Sequence, residues 1–346
     1  MPFLFIGSTG DHAGQCLVTW AIARRLLEKG LRVGFFKPFG TKLIQADDIQ
    51  SDPDALLFKK VLNIEEPLEM ICPPIFHEEQ DNQDSDGGLL GEIKSTAWEL
   101  SAEKDLLIII GSRHIYFDDS RHALTDISLI SELNADMVLV HRYRKVSTTL
   151  YSVLSVNSLL GKNVKGTIIN RVPNEQLDDV HEKIVPVVSQ RGIRNVALLP
   201  EDPTLSLWSI REIKDIFEGE ILWGDEFIDR PVGGMTVGAS GLQNELRLFR
   251  RIYNKIILLG PENSVHNVSG ILLTGNRMPG DLVLEAAKRS KIPLILVKED
   301  TFSVKERLEQ CTPILTPANE SKVVRLTAMM DRDDFLNKLI RSIGWG

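Results

Sequence analysis

The sequence predicts an α/β protein: a doubly wound, mostly parallel sheet followed by a smaller α/β domain. Three observations carry that expectation. Short β-branched and aromatic runs alternate with helical patterns over roughly the first two hundred residues, as crossover-connected parallel strands require. The run Leu106-Leu107-Ile108-Ile109-Ile110 is continuously apolar, which suits a strand covered on both faces. An apolar start, Phe3-Leu4-Phe5-Ile6, feeds a glycine-punctuated segment, Gly7-Ser8-Thr9-Gly10-Asp11-His12-Ala13-Gly14, and a helical pattern begins directly after it.

Taken in order, the expected strands of the first domain are 3–6, 32–36, 106–110, 137–140, 166–169 and 195–198. Helical patterns over 17–28, 54–62 and 146–160 lie between several of them. The first helix carries Leu17, Trp20, Ala21, Arg24 and Leu27 at helical spacing, and Gly30 is its natural stop. His77–Gly88 is polar, acidic and glycine-ended, and reads as a mobile surface loop. Its Asn82, Asp84 and Asp86 have the spacing of a calcium loop, but the closing bidentate position falls on Ile93. The pattern changes around 205–224. Beyond it, strands are expected at 255–259, 270–274 and 293–297, with helices at 241–251, 281–290 and 304–309. A closing amphipathic helix over 331–343 carries Phe335, Leu336, Leu339 and Ile340 on one side. The expected division is 1–210, 211–320 and a C-terminal closing helix within 321–346.

The whole chain has 346 residues, which suits two domains. Its net charge of −8 and the lack of a basic block argue against nucleic acid as a partner. No apolar run approaches the roughly 20 residues that span a bilayer, and no signal-peptide core is present, so no membrane is expected. The three cysteines, Cys16, Cys72 and Cys311, lie far apart. That usage fits a reducing, cytoplasmic setting without a disulfide framework or zinc site.

The strand–glycine loop–helix start is the layout of a phosphate-binding P-loop. Such a loop works through backbone N–H groups around phosphate oxygens, a lysine for charge, and a Ser or Thr hydroxyl on magnesium. Here Gln15 and Cys16 stand where the lysine and hydroxyl belong. Gln15 donates only neutral hydrogen bonds, and a thiol suits a hard cation poorly. The candidate ligand-binding set is Gly7, Ser8, Thr9, Gly10, Gly14, Gln15 and Cys16, and a plain strand-to-helix turn explains the same glycines equally well. Lys37, at the end of the second strand, is placed to hold a carboxylate or phosphate, or is a surface lysine before a turn. Asp54 is a candidate metal ligand beside a capping Asp52. Asn170, after a later strand, offers both donor and acceptor to a base edge, or simply turns the chain.

Together the loop, Lys37-Pro38, Asp54, Asn170-Arg171-Val172-Pro173 and Leu199-Pro200-Glu201-Asp202 resemble the dethiobiotin-synthetase-like P-loop domain. More narrowly, they resemble the version at the N-terminus of long phosphotransacetylases, whose loop typically reads GSTE-x-x-SGKS. The second part of the chain resembles the next module of those same enzymes, the DRTGG domain. The matching residues are Asp229-Arg230-Pro231-Val232-Gly233-Gly234, then Gly270–Thr274 with Gly275, then Ile292–Leu296 and Asp300-Thr301. The resemblance covers residues 1 to about 320. It implies a P-loop NTPase-like sheet, ATP or another adenine nucleotide as ligand, homo-oligomerisation through the DRTGG domain, and an enzyme of acyl-CoA or acetyl-phosphate metabolism as partner.

The departures carry equal weight. Ligases of this family hold magnesium with a Glu-Gly after the central strand, where this chain reads Ile110-Gly111. The usual Gly-Asp-Arg turn of the DRTGG domain reads Gly260-Pro261-Glu262-Asn263. The acetyl-transferring domain is expected to be absent. Lysine, hydroxyl and glutamate are all missing from one site, which argues against magnesium and against phosphoryl transfer. The expectation is therefore a non-catalytic or weakly catalytic regulatory protein that binds a nucleotide, an anionic metabolite or an enzyme partner. A purely structural scaffold subunit and an ATP-dependent ligase of the dethiobiotin or cobyrinic acid diamide synthase type stand as alternatives.

Overall fold

The structure is a computed structural model that describes residues 2–40, 44–46, 49–73, 86–116, 124–237, 256–260, 268–310 and 314–345. The chain divides into two compact units, Met1–Glu201 together with Leu315–Gly346, and Asp202–Ile314.

The first unit runs β1 (Phe3–Ser8), α1 (Gln15–Glu28), β2 (Val33–Phe36), β3 (Ile44–Ala46), β4 (Ile49–Ser51), α2 (Pro53–Val61), α3 (Leu68–Ile71), α4 (Asp86–Ser101), β5 (Leu106–Ile110), α5 (Asp126–Leu133), β6 (Asp136–Arg142), α6 (Val146–Leu160), β7 (Val164–Val172), α7 (Leu177–Gln190) and β8 (Val196–Pro200). Six of these strands form one sheet in the order β2-β5-β1-β6-β7-β8. Every pair in it is parallel, as the predicted doubly wound architecture requires. β3 and β4 form a separate antiparallel hairpin.

Both faces of the sheet are covered. Phe3, Phe5, Leu107, Ile109, Met137 and Leu139 share a core with α4, α5, α6 and α7. The alternate residues Leu4, Ile6, Ile108, Val138 and Val140 are equally buried on the opposite face. Burying such a side chain contributes about 1.5–3 kcal/mol, which explains why apolar residues occupy both phases of the central strands.

The remainder of this unit arrives from the far end of the chain. α12 (Glu320–Met330) and α13 (Phe335–Ser342) come after the second unit in sequence, yet they belong to the first. Arg24 pairs with Glu320, and Arg25 with Asp331. Phe335 lies against Gly166 of β7, where a Cβ would approach its ring to 3.0 Å. Phe335, Leu336, Leu339 and Ile340 are all buried, as their spacing predicts. The expected helix over 331–343 starts later, because Asp334 takes a left-handed conformation at its N-cap.

The second unit contains α8 (Pro203–Ser206), β9 (Trp208–Ser209), α9 (Ile210–Ile216), β10 (Glu220–Trp223), β11 (Pro231–Val232), β12 (Gly234–Val237), β13 (Ile256–Gly260), β14 (Gly270–Leu273), α10 (Asp281–Ser290), β15 (Leu294–Leu296) and α11 (Thr301–Gln310). Its five-stranded sheet has the order β10-β15-β14-β13-β12. Only β14 and β15 run parallel; the other pairs are antiparallel. A capping box starts α9, with Ser209 and Glu212 satisfying each other's backbone N–H.

Four expectations fall wholly or partly outside the described residues: the helix over 241–251, the start of the strand 255–259, the turn 260–263 and the loop 77–88. Cys311 is outside them as well. Asp86, Gly87 and Gly88, read from sequence as the end of that loop, instead open α4.

Candidate functional site

The site forms where the carboxyl ends of β1, β2, β6 and β7 meet the glycine loop. β1 ends at Ser8, whose hydroxyl donates to the Gly10 carbonyl at 2.8 Å and accepts from Gly10 N at 3.2 Å. The loop thereby folds on itself. Gly14 closes it at φ 95, a left-handed conformation that glycine adopts without steric cost. A Cβ at Gly14 would also meet Asn170 Nδ2 at 2.5 Å. Helix α1 then opens with no side-chain cap and no acidic residue in its first turn.

Gln15 turns back into the protein. Its Nε2 donates to the Ile6 carbonyl and to the Ser112 carbonyl, each at 3.2 Å. Ser112 N in turn donates to the buried Asp126 carboxylate at 2.9 and 3.1 Å. A side chain at Gly111 would strike Asp126 and Phe5, so only glycine fits there. The turn after Ile110 is thus held by a buried aspartate and by the residue at the lysine position.

Cys16, Lys37, Asp52 and Asp54 form one polar cluster. Lys37 is buried, and its Nζ lies 2.9 Å from Asp52 Oδ1 and 2.5 Å from Asp54 Oδ2. Burial disfavours its charge, but the two carboxylates more than offset this and hold its pKa above the ordinary lysine value. Asp54 is desolvated too, yet Lys37 and the Cys16 thiol hold its carboxyl below the usual range. Burial first, and then Asp54, push the Cys16 thiol well above its ordinary value. Asp52 also caps α2, its Oδ1 accepting from Asp54 N at 2.9 Å. Among the described residues no group of three His, Cys, Asp or Glu side chains is arranged to hold a metal ion.

Asn170 braces the loop from β7. Its Nδ2 donates to the Ala13 carbonyl at 2.7 Å, and its Oδ1 accepts from Arg171 N at 2.9 Å. Both ends of its amide are thus engaged within the protein. Thr9 joins the loop to β6 and α6, with Oγ1 2.6 Å from His141 Nδ1 and His141 Nε2 3.0 Å from Thr149 Oγ1. Burial, assisted by Arg144, pushes the His141 pKa down to about 4. A cavity of about 600 Å3 opens beside Thr9, with His114, Tyr116, Tyr151, Ser155 and Leu159 in its lining.

The structure therefore gathers Gln15, Cys16, Lys37, Asp54 and Asn170 around the loop, each engaged with a protein partner. Sequence reasoning missed Asp126 and His141. The signal for His141 is its place at the polar end of the run Met137–Val140, where a strand's carboxyl end reaches the crevice. Asp126 gives no local signal beyond a helix start after Thr125, which caps α5. Asp105 lies at the amino end of β5, bonded to Arg32 N at 2.8 Å and to its guanidinium, away from the loop.

The AAA domain family model matches residues 3–207, and the DRTGG domain model matches residues 212–311. The phosphate acetyltransferase of Synechocystis sp. is 22% identical over an alignment of 370 residues, which covers 99% of this chain and 52% of that protein. The ATP-dependent dethiobiotin synthetase BioD of Methanocaldococcus jannaschii is 28% identical over 200 residues, covering 55% of this chain and 89% of that protein. The chain spans about half the length of the phosphate acetyltransferases it matches. Among solved structures, the MinD cell division protein of Aquifex aeolicus aligns with a TM-score of 0.35 at 13% identity, covering 59% of this chain and 84% of that one.

Proposed function

The chain belongs to the AAA domain family, with a DRTGG domain after it, and on that premise we propose a regulatory or assembly role without phosphoryl transfer. In this reading the glycine loop takes a nucleotide or another anionic metabolite through backbone N–H groups. The bound state is then passed to an enzyme of acyl-phosphate or acyl-CoA metabolism, or to a second copy through the DRTGG domain.

One observation carries the reading. Gln15 Nε2 faces the Ile6 and Ser112 carbonyls, so position 15 brings no charge to a phosphate. Phosphoryl transfer depends on positioning and on electrostatic stabilisation of the transferred group. A hydrogen bond to a charged group contributes about 1.5–3 kcal/mol, and each loss of about 1.36 kcal/mol in transition-state stabilisation costs about tenfold in rate. Cys16 adds to the deficit, because its thiol is bound to Asp54. The relatives named phosphate acetyltransferase support a partner from that chemistry.

Isothermal titration with ATP, ADP, AMP and acetyl-CoA, run beside an assay for ADP release, tests the proposal. The expected result is binding of at least one anion and no magnesium-dependent turnover. ADP release that requires magnesium and a carboxylate substrate overturns it in favour of a ligase. The internal engagement of Lys37, Asp54 and Asn170 also favours a scaffold role. A stable hetero-complex with no response to any of the four ligands selects that role instead.

A further inference from the structure

We infer that Arg142 and Arg171, flanked by Arg144 and Lys145, form an anion site for a phosphate-bearing small molecule at the carboxyl ends of β6 and β7. This deepens the proposed function and rests on its anion-binding reading, because it supplies the charge that position 15 lacks.

The charge distribution is the first observation. The chain carries 48 acidic and 40 basic residues, yet no Asp or Glu occurs between Met137 and Asn174. Lys162 and Lys165 lie toward the amino end of β7, and Lys165 pairs with Asp136. The other four Lys and Arg residues of that stretch are the proposed set. β6 and β7 are parallel neighbours, with Arg142 in register with Asn170. Asn170 holds the glycine loop through the Ala13 carbonyl, so Arg171 stands one residue from a direct contact with that loop.

The second observation is the lack of partners. Arg24, Arg25, Arg32, Arg211, Arg307 and Arg341 all form ion pairs. Among the described residues, the side chains of Arg142, Arg144, Lys145 and Arg171 have no ion-pair partner within 4.0 Å. Arg171 is half-buried. Its burial and the nearby Arg142 both work against its charge, and Glu201 offsets this only from beyond ion-pair range. Two guanidinium groups brought together with no carboxylate in ion-pair range gain most from an anion placed between them. Their planar donor forks match phosphate oxygens.

The third observation is backbone strain. Arg171 has φ 58, a left-handed conformation that is unfavourable for a bulky side chain. The β7–β8 register shifts between Ile169 and Val172, and Asn170 Oδ1 fixes the bend by accepting from Arg171 N. The strand is bent at the residue whose guanidinium lacks a partner. Helix α6 begins directly after Lys145, with no side-chain cap and no acid in its first turn, so it adds positive potential to the same corner.

Titration calorimetry of the full chain with inorganic phosphate, pyrophosphate, AMP, ATP and coenzyme A tests the site, at low and high salt. Wild type is expected to bind at least one of these, more weakly as salt rises. Arg142→Gln and Arg171→Gln are each expected to weaken that binding about tenfold, as loss of a charge-assisted bond implies. Without ligand, the melting temperature of Arg142→Gln is expected to stay level or rise, because a like-charge repulsion is removed; an arginine needed only for folding would lower it. If the double variant binds within about twofold of wild type, the arginine site is wrong and the anion-binding reading stands. If wild type binds none of the five, both fall. Should Arg171→Gln fail to fold, unchanged affinity in Arg142→Gln alone overturns the site.

Discussion

Thr9 Oγ1 lies 2.6 Å from His141 Nδ1, and this contact ties the glycine loop to the strand that carries the histidine. His141 is buried and its pKa is about 4, against about 6.5 for an unperturbed histidine. Between those values the unfolded chain takes up a proton that the folded chain refuses. Stability is therefore fully present above about pH 6.5 and lost progressively as pH falls toward 4, by roughly 2–3 kcal/mol. Urea melts from pH 7.5 to 4.0 check this against His141→Asn. The variant should lack that share of the slope, and an identical slope in both proteins would falsify the assignment.

Replacing Gln15 by lysine adds charge at the loop but leaves Cys16 and Ile110 in place. The expected outcome is ATP affinity raised about tenfold, as a charge-assisted bond in place of a neutral one implies, with no magnesium-dependent ADP release. Turnover in this single variant would mean that the missing hydroxyl and glutamate do not limit the chemistry.

Lys37 sits between Asp52 and Asp54, and the side chains of Lys37 and Asp52 are only 3% and 2% exposed. Lys37→Met leaves two carboxylates without their cation, and removing one partner of a buried pair costs about 3–5 kcal/mol. Chemical denaturation should show that loss. In the double change Lys37→Met with Asp52→Asn, part of it should return. A double variant no better than the single one argues against a specific pairing.

Gly14→Ala meets two obstacles, the left-handed φ of 95 and the approach to Asn170 Nδ2. The expected cost is about 1–3 kcal/mol for a strained backbone conformation, with steric contact added to it. Asn170→Ala removes the contact but not the strain, so the two changes should couple in a double-mutant cycle. Strict additivity would show that the loop does not lean on Asn170.

Much of the first unit was legible in the residue order. The run Leu106–Ile110 is a central strand at the predicted bounds, because a β-branched apolar run with no polar phase has only a two-sided burial to go to. α6 and α10 also fall at their expected limits. α4 was obscured because its first residues, Asp86, Gly87 and Gly88, are poor helix formers. The closing helix expected within 321–346 is two helices, α12 and α13, and the packing of α12 on α1, almost three hundred positions earlier in the chain, has no local signal. At the site, the residue types at 15, 16, 37, 54 and 170 were readable, but their partners were not. Gln15 meeting Ser112, and Thr9 meeting His141, are contacts across the sheet order, which no local pattern encodes.

Residue order alone determined the alternation of strands and helices, the glycine turn at the end of β1, and the loss of lysine, hydroxyl and glutamate from one place. These come from side-chain chemistry and short-range periodicity, which are written locally. Only the tertiary structure decided that Gln15 faces two carbonyls, that Lys37 lies between two aspartates, and that Arg142 and Arg171 share a corner with no ion-pair partner among the described residues. Those outcomes depend on strand order and register, which bring distant residues within a few ångströms and set the field that each charge feels.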